Sequence, residues 1–139
     1  VLACELRRYK PSVIFIRLGT NDAGTPESFR ENLQEIVLFA LQRGVIPILG
    51  TKADRYLDPE NQVNAVIREV ARELLVPLWD FDVIAQTIPG GGLTPDNVHM
   101  TARGSYYDYT QPEAYRTGHG LHNLTALMML DAVRRTAMM

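Results

Sequence analysis

The chain has 139 residues, 46% of them hydrophobic and 22% charged, with a formal net charge of −2. This length suffices for one domain with a buried core and is too short for two ordinary ones, so we expect residues 1–139 to form a single domain. The basic residues form no block longer than a pair, which argues against nucleic acid or an anionic membrane surface as a partner and favours a small neutral or polar ligand.

The single cysteine, Cys4, excludes an internal disulfide and a cysteine-rich zinc site, and we interpret it as a small buried residue on the first helix. No apolar run approaches the roughly 18 residues that a membrane span needs, and no signal peptide is recognisable. The sequence therefore leaves the compartment open, with secretion and the cell envelope both included.

The first elements predicted along the chain are a helix and a strand. Residues 2–9 mix polar and apolar side chains and are typical of a helix, which Pro11 stops. The run 13–16, between Pro11 and Gly19, is almost unbroken in its apolar character, as are strands buried on both faces of a parallel sheet. We predict that this run is a central strand.

Two longer helices are predicted from capping residues and apolar stripes. Thr25 and Pro26 supply a capping hydroxyl and a proline at the first helical position, and Gly44 ends that helix. Asp58 and Pro59 open the second helix by the same logic. The stripes are Phe29, Leu33, Ile36, Val37, Ala40 and Leu41 in the first helix and Val63, Val66, Ile67, Val70, Ala71 and Leu74 in the second.

Two further strands are predicted at 45–49 and 76–79, although Pro47 weakens the first because proline cannot donate to a ladder and prefers edges or strand starts. The remaining elements are a short helix at 80–86, a glycine-rich break at 89–92, a long loop at 102–120 and a final helix at 121–137 with Leu124, Leu127, Met128, Leu130 and Val133 facing inward.

Strands that alternate with amphipathic helices imply an α/β fold with a parallel, doubly wound sheet. One feature conflicts with a complete domain. The run 13–16 needs a strand on each side, yet only two more strands follow it, and as an edge strand it would be prone to aggregation. We therefore expect that N-terminal strands of the domain are missing from this chain.

Two polar clusters follow predicted strands: Gly19, Thr20, Asn21 and Asp22, and then Asp96, Asn97, Val98 and His99. An asparagine N–H group at the rim of a parallel sheet suits the stabilisation of an oxyanion. An aspartate three residues before a histidine can hold the imidazole so that its other nitrogen acts as a general base. Each cluster alone is more often an ordinary turn, but together they are the parts of an acyl-transfer site.

In this order and spacing the two clusters resemble the SGNH/GDSL hydrolase family, in which a G-x-N-D block follows the third strand and a D-x-x-H block follows the last. The resemblance covers about residues 10–104. It implies a flavodoxin-like, three-layer α/β domain of SGNH type that hydrolyses esters without a cofactor or a metal.

The resemblance also implies roles for individual residues. Asn21 is the oxyanion donor, Asp96 the orienting acid and His99 the general base, while Gly19 and Asp22 shape the turn. Thr51 follows the strand at 45–49 and is a further candidate for shaping the site or binding substrate.

The chain departs from the family pattern at the nucleophile. The family uses a serine in a G-D-S block after its first strand and a glycine donor after its second, and neither block occurs here. Ser12 precedes its strand, Ser28 lies in the first turn of a helix, and Ser105 lacks a strand-to-helix elbow. We expect the nucleophile to lie outside this chain and the chain by itself to be inactive.

Two other groups of residues, histidines and tyrosines, could be functional but are more simply explained as structural. His119 and His122, with His99, could bind a metal, but histidines at this spacing are more often surface or capping residues. Tyr106 and Tyr107 could wall a sugar-binding cleft, as could Tyr109, although loop aromatics more often cover a core.

The function we expect is hydrolysis of a small-molecule ester, an acylated lipid or carbohydrate, by a Ser-His-Asp mechanism in the intact parent protein. The alternative is a non-catalytic module that keeps the fold and the cleft and binds a carbohydrate or a protein.

Overall fold

The computed structural model describes residues 2–54 and 57–137, and within them it confirms the α/β class. Two 3-10 turns, Pro89–Gly92 and Pro112–Arg116, connect the later elements. The helices and strands are α1 (Leu2–Tyr9), β1 (Val13–Ile16), α2 (Pro26–Leu41), β2 (Ile46–Gly50), α3 (Gln62–Glu73), β3 (Leu78–Trp79), α4 (Phe81–Ala85) and α5 (Gly118–Ala137).

The described strands form one parallel sheet in the order β1-β2-β3. The prediction that β1 is central and buried on both faces is wrong for this sheet, because β2 pairs with both neighbours and β1 lies at the edge. Ile16 pairs with Leu49 and is buried, but Phe15 remains 39% exposed. An apolar strand edge is therefore open to solvent in the described structure.

Pro47 lies in the central strand β2, although proline was expected to prefer an edge strand or a strand start. The amide of Ile46 donates towards β1, to Ser12 O at 2.9 Å, whereas the amide of Leu49 donates towards β3, to Pro77 O at 2.9 Å. Donor direction alternates along a strand, so the missing N–H of Pro47 faces the β3 side. Because β3 begins only at Leu78, which pairs with Leu49, no ladder bond is lost there.

Helices cover both faces of the sheet, which confirms the three-layer arrangement. The helices α2 and α3 pack on one face, and their buried residues cluster with Ile16 and Leu49. On the other face, Val133 of α5 clusters with Ile48 and Trp79. The predicted stripes of α2 and α3 supply the first core through Phe29, Leu33, Val37, Val63, Ile67, Val70 and Ala71.

The start of α3 and the burial of Cys4 differ from expectation. The helix begins at Gln62, four residues after Asp58, because a turn intervenes. Asp58 still caps it, since its two carboxylate oxygens accept the amides of Gln62 and Val63 at 2.8 Å each. Cys4 is exposed, because α1 buries Leu6.

The last helix begins three residues earlier than predicted and turns a different face inward. Thr117 caps it by accepting the Gly120 amide at 3.2 Å. Of the five residues expected to face inward only Val133 is buried, while Leu127 and Met128 are 61% and 62% exposed. The face that turns inward carries Thr125, whose hydroxyl accepts a hydrogen bond from the Trp79 indole at 3.1 Å, and Ala126 and Met129, which pack against the same core as Val133.

The buried stripe of α2 gives a stability prediction. Leu33 is 2% exposed inside the core between α2, α3 and the sheet. Leu33→Ala is expected to lower the free energy of unfolding by about 2–5 kcal/mol, because it removes buried methyl groups and leaves a cavity. Urea denaturation followed by circular dichroism measures the loss. Leu75→Ala is the matched control: Leu75 is 89% exposed, so equal losses in the two variants would contradict the assigned core.

Candidate active site

The first polar cluster and two further polar segments lie where the three parallel strands end. Residues 17–22 follow β1, residues 51–54 follow β2, and Asp80 follows β3. The carboxyl ends of parallel strands meet at one edge of a sheet, which is where ligands of open α/β folds bind. The segment that carries His99 is tied to the start of α5 by Thr101, whose carbonyl accepts the His119 amide at 3.0 Å, and it shares a cavity with Arg17 and Lys52 of the sheet edge.

Asp96 and His99 form a direct contact, with His99 Nδ1 2.7 Å from Asp96 Oδ2. The other oxygen, Asp96 Oδ1, accepts the Thr94 hydroxyl at 2.6 Å and the amides of Val98 and His99 at 3.0 Å each. The Thr94 hydrogen bond, together with those from His99 and Val98, holds the pKa of Asp96 well below its ordinary value.

This contact fixes the chemistry open to the imidazole. With Nδ1 bound to a carboxylate, Nδ1 carries the proton in the neutral ring and Nε2 is left as the basic nitrogen. The His99 side chain is 78% exposed. The geometry therefore leaves Nε2 accessible to solvent or to a bound molecule while the carboxylate holds the ring.

The loop after β1 is a tight turn around Gly19. Gly19 has φ +111° and is buried, and an added Cβ would collide with the Val63 side chain and lie 3.0 Å from Phe29 Cζ. The Asp22 amide donates to Gly19 O at 3.2 Å and closes the turn. Asn21 at its tip is exposed, and with Gly19 and Asp22 it lines a cavity of about 390 Å³.

A second cavity, of about 260 Å³, brings the His99 segment against the sheet edge. Arg17 and Thr20 line both cavities, which are therefore neighbours. His99 and Asn21 thus face adjoining cavities, but no contact joins them among the described residues. The lining of the second cavity is Arg17, Thr20, Lys52, Asp54, Val98, His99, Met100 and His119.

Thr51 lies beneath the site. It is fully buried, and its hydroxyl donates to Asp80 Oδ1 at 2.8 Å. The Thr51 hydroxyl oxygen also accepts the Asp82 amide at 2.8 Å. Arg68 in turn binds both carboxylates, at 2.9 Å and 2.6 Å. Burial raises the pKa of Asp80, but the hydrogen bonds from Arg68 and Thr51 outweigh it and lower the pKa. This network ties the end of β2 to the end of β3.

Sequence reasoning did not single out Arg17 as a site residue. Its Nε donates to Thr51 O at 3.2 Å, its Nη1 lies 3.3 Å from His122 Nε2, and its guanidinium lies 5.2 Å from the centre of the Phe81 ring. Burial lowers the pKa of Arg17. Its position directly after β1 was the signal available in the sequence.

Lys52 was also not singled out. It is only 6% exposed, and its ammonium contacts the Thr20 hydroxyl and lies 3.0 Å from Asp54 Oδ2. Asn64 holds the Lys52 backbone on both sides, accepting its amide at 2.9 Å and donating to its carbonyl at 2.7 Å. Its place at the end of β2 was the available signal.

In residues 2–54 and 57–137 no group of three histidine, cysteine, aspartate or glutamate side chains is arranged to hold a metal ion. His122 lies against Trp79, with ring centroids 4.6 Å apart, and burial lowers its pKa. No helix in the same part of the chain is long and apolar enough to cross a membrane.

Comparison with known proteins identifies one family. Residues 2–106 match the model of the GDSL-like lipase/acylhydrolase family, which is most of the chain. A search of curated proteins found no match.

The Asp96 turn gives a prediction about titration. Thr94→Val removes the hydroxyl that contributes most to the lowered pKa, so the Asp96 pKa is expected to rise towards the ordinary value of about 3.9. Because the folded pKa is depressed, the turn's contribution to stability is complete above the ordinary aspartate range and is lost as pH falls through the folded pKa. Carbon-13 NMR of the Asp96 carboxyl measures the shift.

The control for this titration is Thr110→Val. Thr110 makes the same hydroxyl contact to another carboxylate, Asp108 Oδ1, at 2.6 Å. This variant should leave the Asp96 titration unchanged and raise the pKa of Asp108, which the Thr110 hydrogen bonds lower. If the Asp96 pKa were unchanged in the Thr94→Val variant, the turn would not be formed as described.

The turn after β1 gives a second prediction. Gly19→Ala is expected to cost about 1–3 kcal/mol of stability, because the new methyl group would overlap Val63 at a positive φ. Chemical denaturation measures the loss. Gly24→Ala in the same loop meets no atom within 4 Å and has no positive φ, so it should change stability little. A Gly19→Ala protein as stable as the Gly24→Ala protein would refute the turn geometry.

Proposed function

The chain belongs to the GDSL-like lipase/acylhydrolase family, and we propose on that basis that it supplies the base, the orienting acid and an oxyanion donor for hydrolysis of a small-molecule ester. His99 is the base, Asp96 the acid and Asn21 the donor. The observation that carries the proposal is the 2.7 Å contact between His99 Nδ1 and Asp96 Oδ2, in a turn that fixes the carboxylate by three further hydrogen bonds.

The reaction follows from these roles. A serine hydroxyl attacks the ester carbonyl while His99 Nε2 takes its proton, and Asp96 stabilises the imidazolium that forms. The Asn21 side-chain N–H donates to the oxyanion of the tetrahedral intermediate. His99 then returns the proton to the leaving alkoxide. Water hydrolyses the acyl-serine in a second round with the same base, which releases the acid.

The nucleophilic serine is proposed to lie outside these 139 residues. The chain has three serines, and none of them lines the cavities next to His99 or Asn21. Ser12 directly precedes β1, at the opposite end of that strand from the site, and Ser28 lies in the first turn of α2. Ser105 lies in an exposed stretch after His99.

The ester is proposed to be an acylated carbohydrate or lipid. The cavity beside Asn21 offers polar groups from Asp22, Thr20 and Asn32 next to the apolar side chains of Leu33 and Ile36. Such a mixed lining suits a molecule with a polar part and an apolar part.

The absence of a serine in the described cavities also favours a second candidate, a non-catalytic module that binds a carbohydrate or a protein in the same cleft. It predicts saturable binding without turnover. Replacement of His99 would then leave binding nearly intact.

The test of the hydrolase proposal is His99→Ala in a protein that carries both this chain and the serine block. Loss of the general base is expected to lower kcat by about 10²–10⁴-fold. Release of p-nitrophenol from p-nitrophenyl acetate measures it. The His99 side chain is 78% exposed, so folding should be unaffected, and an unchanged urea midpoint is the control.

Unchanged kcat in that variant would overturn the role of His99. Binding of an ester by both proteins, with turnover by neither, would instead support the binding module. The 139-residue chain alone should show no hydrolysis above the background of its own His99→Ala variant.

A further inference from the structure

Two cationic side chains lie in the wall of the cavity that His99 lines. Arg17 comes from the end of β1 and Lys52 from the end of β2, and the lining contains one carboxylate, Asp54. Lys52 is 6% exposed, and its ammonium is paired with Asp54 Oδ2 at 3.0 Å. Apart from the two histidines, His99 and His119, the described lining therefore carries one more positive charge than negative charge.

The neighbouring carboxylates offset the positive charge of the cavity wall only in part, since the pKa of Lys52 is still lowered. Asp22 lines the adjoining cavity, and Asp96 is engaged by His99 and by the hydrogen bonds of its own turn. Burial lowers the pKa of Lys52, and the charge of Arg17 lowers it further, while Asp54 and Asp22 act in the opposite direction. Two cations are thus held near each other at an electrostatic cost, which an anion in the cavity would offset.

Both cations are held in place before any ligand binds. Arg17 is fixed by the Thr51 carbonyl and by His122, and Asn64 fixes the backbone of Lys52 through two hydrogen bonds. The other N–H groups of Arg17 have no acceptor within residues 2–54 and 57–137. Donors that are already ordered lose little entropy when they bind a ligand.

We propose that this cavity binds an anionic group of the substrate, a carboxylate or a phosphate, through Arg17 and Lys52. The substrate is then an ester that carries a negative charge close to the bond to be cleaved. This inference rests on the proposed function for the position of the ester beside His99. Its test measures binding alone, so it can fail while hydrolysis succeeds, and hydrolysis can fail while it holds.

The competing explanation is structural. Lys52 contacts the Thr20 hydroxyl and so connects the loop after β1 to the loop after β2. If that connection were the whole role of Lys52, then removing the Thr20 hydroxyl should have the same effect as removing the ammonium. Thr20→Val tests this, because it keeps the charge of Lys52 and removes only the hydroxyl.

The experiment is an NMR titration of the 139-residue chain with two methyl esters of similar size. Monomethyl succinate carries a carboxylate and methyl pentanoate does not. The anionic ester is expected to bind at least about tenfold more tightly than the neutral one and to shift the resonances of Lys52 and His99. Equal affinity of the two esters, or no shift at Lys52, would overturn the proposal without reference to any variant.

The chain offers a matched control in its other lysine. Lys52→Met should remove the preference for monomethyl succinate, whereas Lys10→Met should retain it, because Lys10 is exposed and lies before β1. Thr20→Val should also retain it. Loss of the preference in Thr20→Val to the same degree as in Lys52→Met would overturn the proposal in favour of the structural connection.

A third ester decides the kind of anion. Methyl 3-phosphonopropionate places a phosphonate where monomethyl succinate places its carboxylate. Tighter binding of the phosphonate would assign a phosphate-bearing substrate, and tighter binding of the succinate ester would assign a carboxylate. Both outcomes support an anion site, while failure of both esters to compete with each other at Lys52 would refute it.

Discussion

Parallel pairing of β2 with strands on both sides is the constraint on which the site depends. It places the ends of β1, β2 and β3 at one edge of the sheet, so that residues from three distant parts of the chain meet there. The ends are then tied together below the surface by the buried hydroxyl of Thr51 and the carboxylate of Asp80. Arg68 supplies the compensating charge for that carboxylate. A rigid base of this kind is what a site needs if its loops are to keep a fixed geometry.

The two halves of the site are stabilised in different ways. The Asp96 turn is exposed and depends on short-range hydrogen bonds, all made within residues 94–99. Lys52 is buried and Arg17 is half-buried, and both are held by partners far along the chain, Asn64 and Thr51. Water screens the charges of the first group, whereas the second group lies in a lower dielectric, where electrostatic interactions are stronger. The cavity lined by His99, Arg17 and Lys52 lies between the two groups.

Several structural features followed from the sequence because their causes are local. The apolar residues of α2 and α3 repeat at helical spacing. This repeat predicts which face of each helix is buried without reference to distant residues. The contact of Asp96 with His99 spans three residues in a turn, so the same short segment that suggested the pair also forms the contact. The stretch that matches the family model, residues 2–106, contains both polar clusters.

Tertiary structure decided the rest, because the relevant partners are far apart in sequence. The inward face of α5 is the one that meets Trp79 through Thr125 and packs Met129 and Val133 on the core, and apolar spacing within the helix does not reveal these contacts. The place of Pro47 in the central strand depends on where β3 begins. Lys52 lines a cavity together with Arg17, which comes from the end of another strand, and this proximity is visible only in the folded chain. The sequence by itself thus determined the layers of the fold and the histidine turn, whereas long-range packing determined which charges surround them.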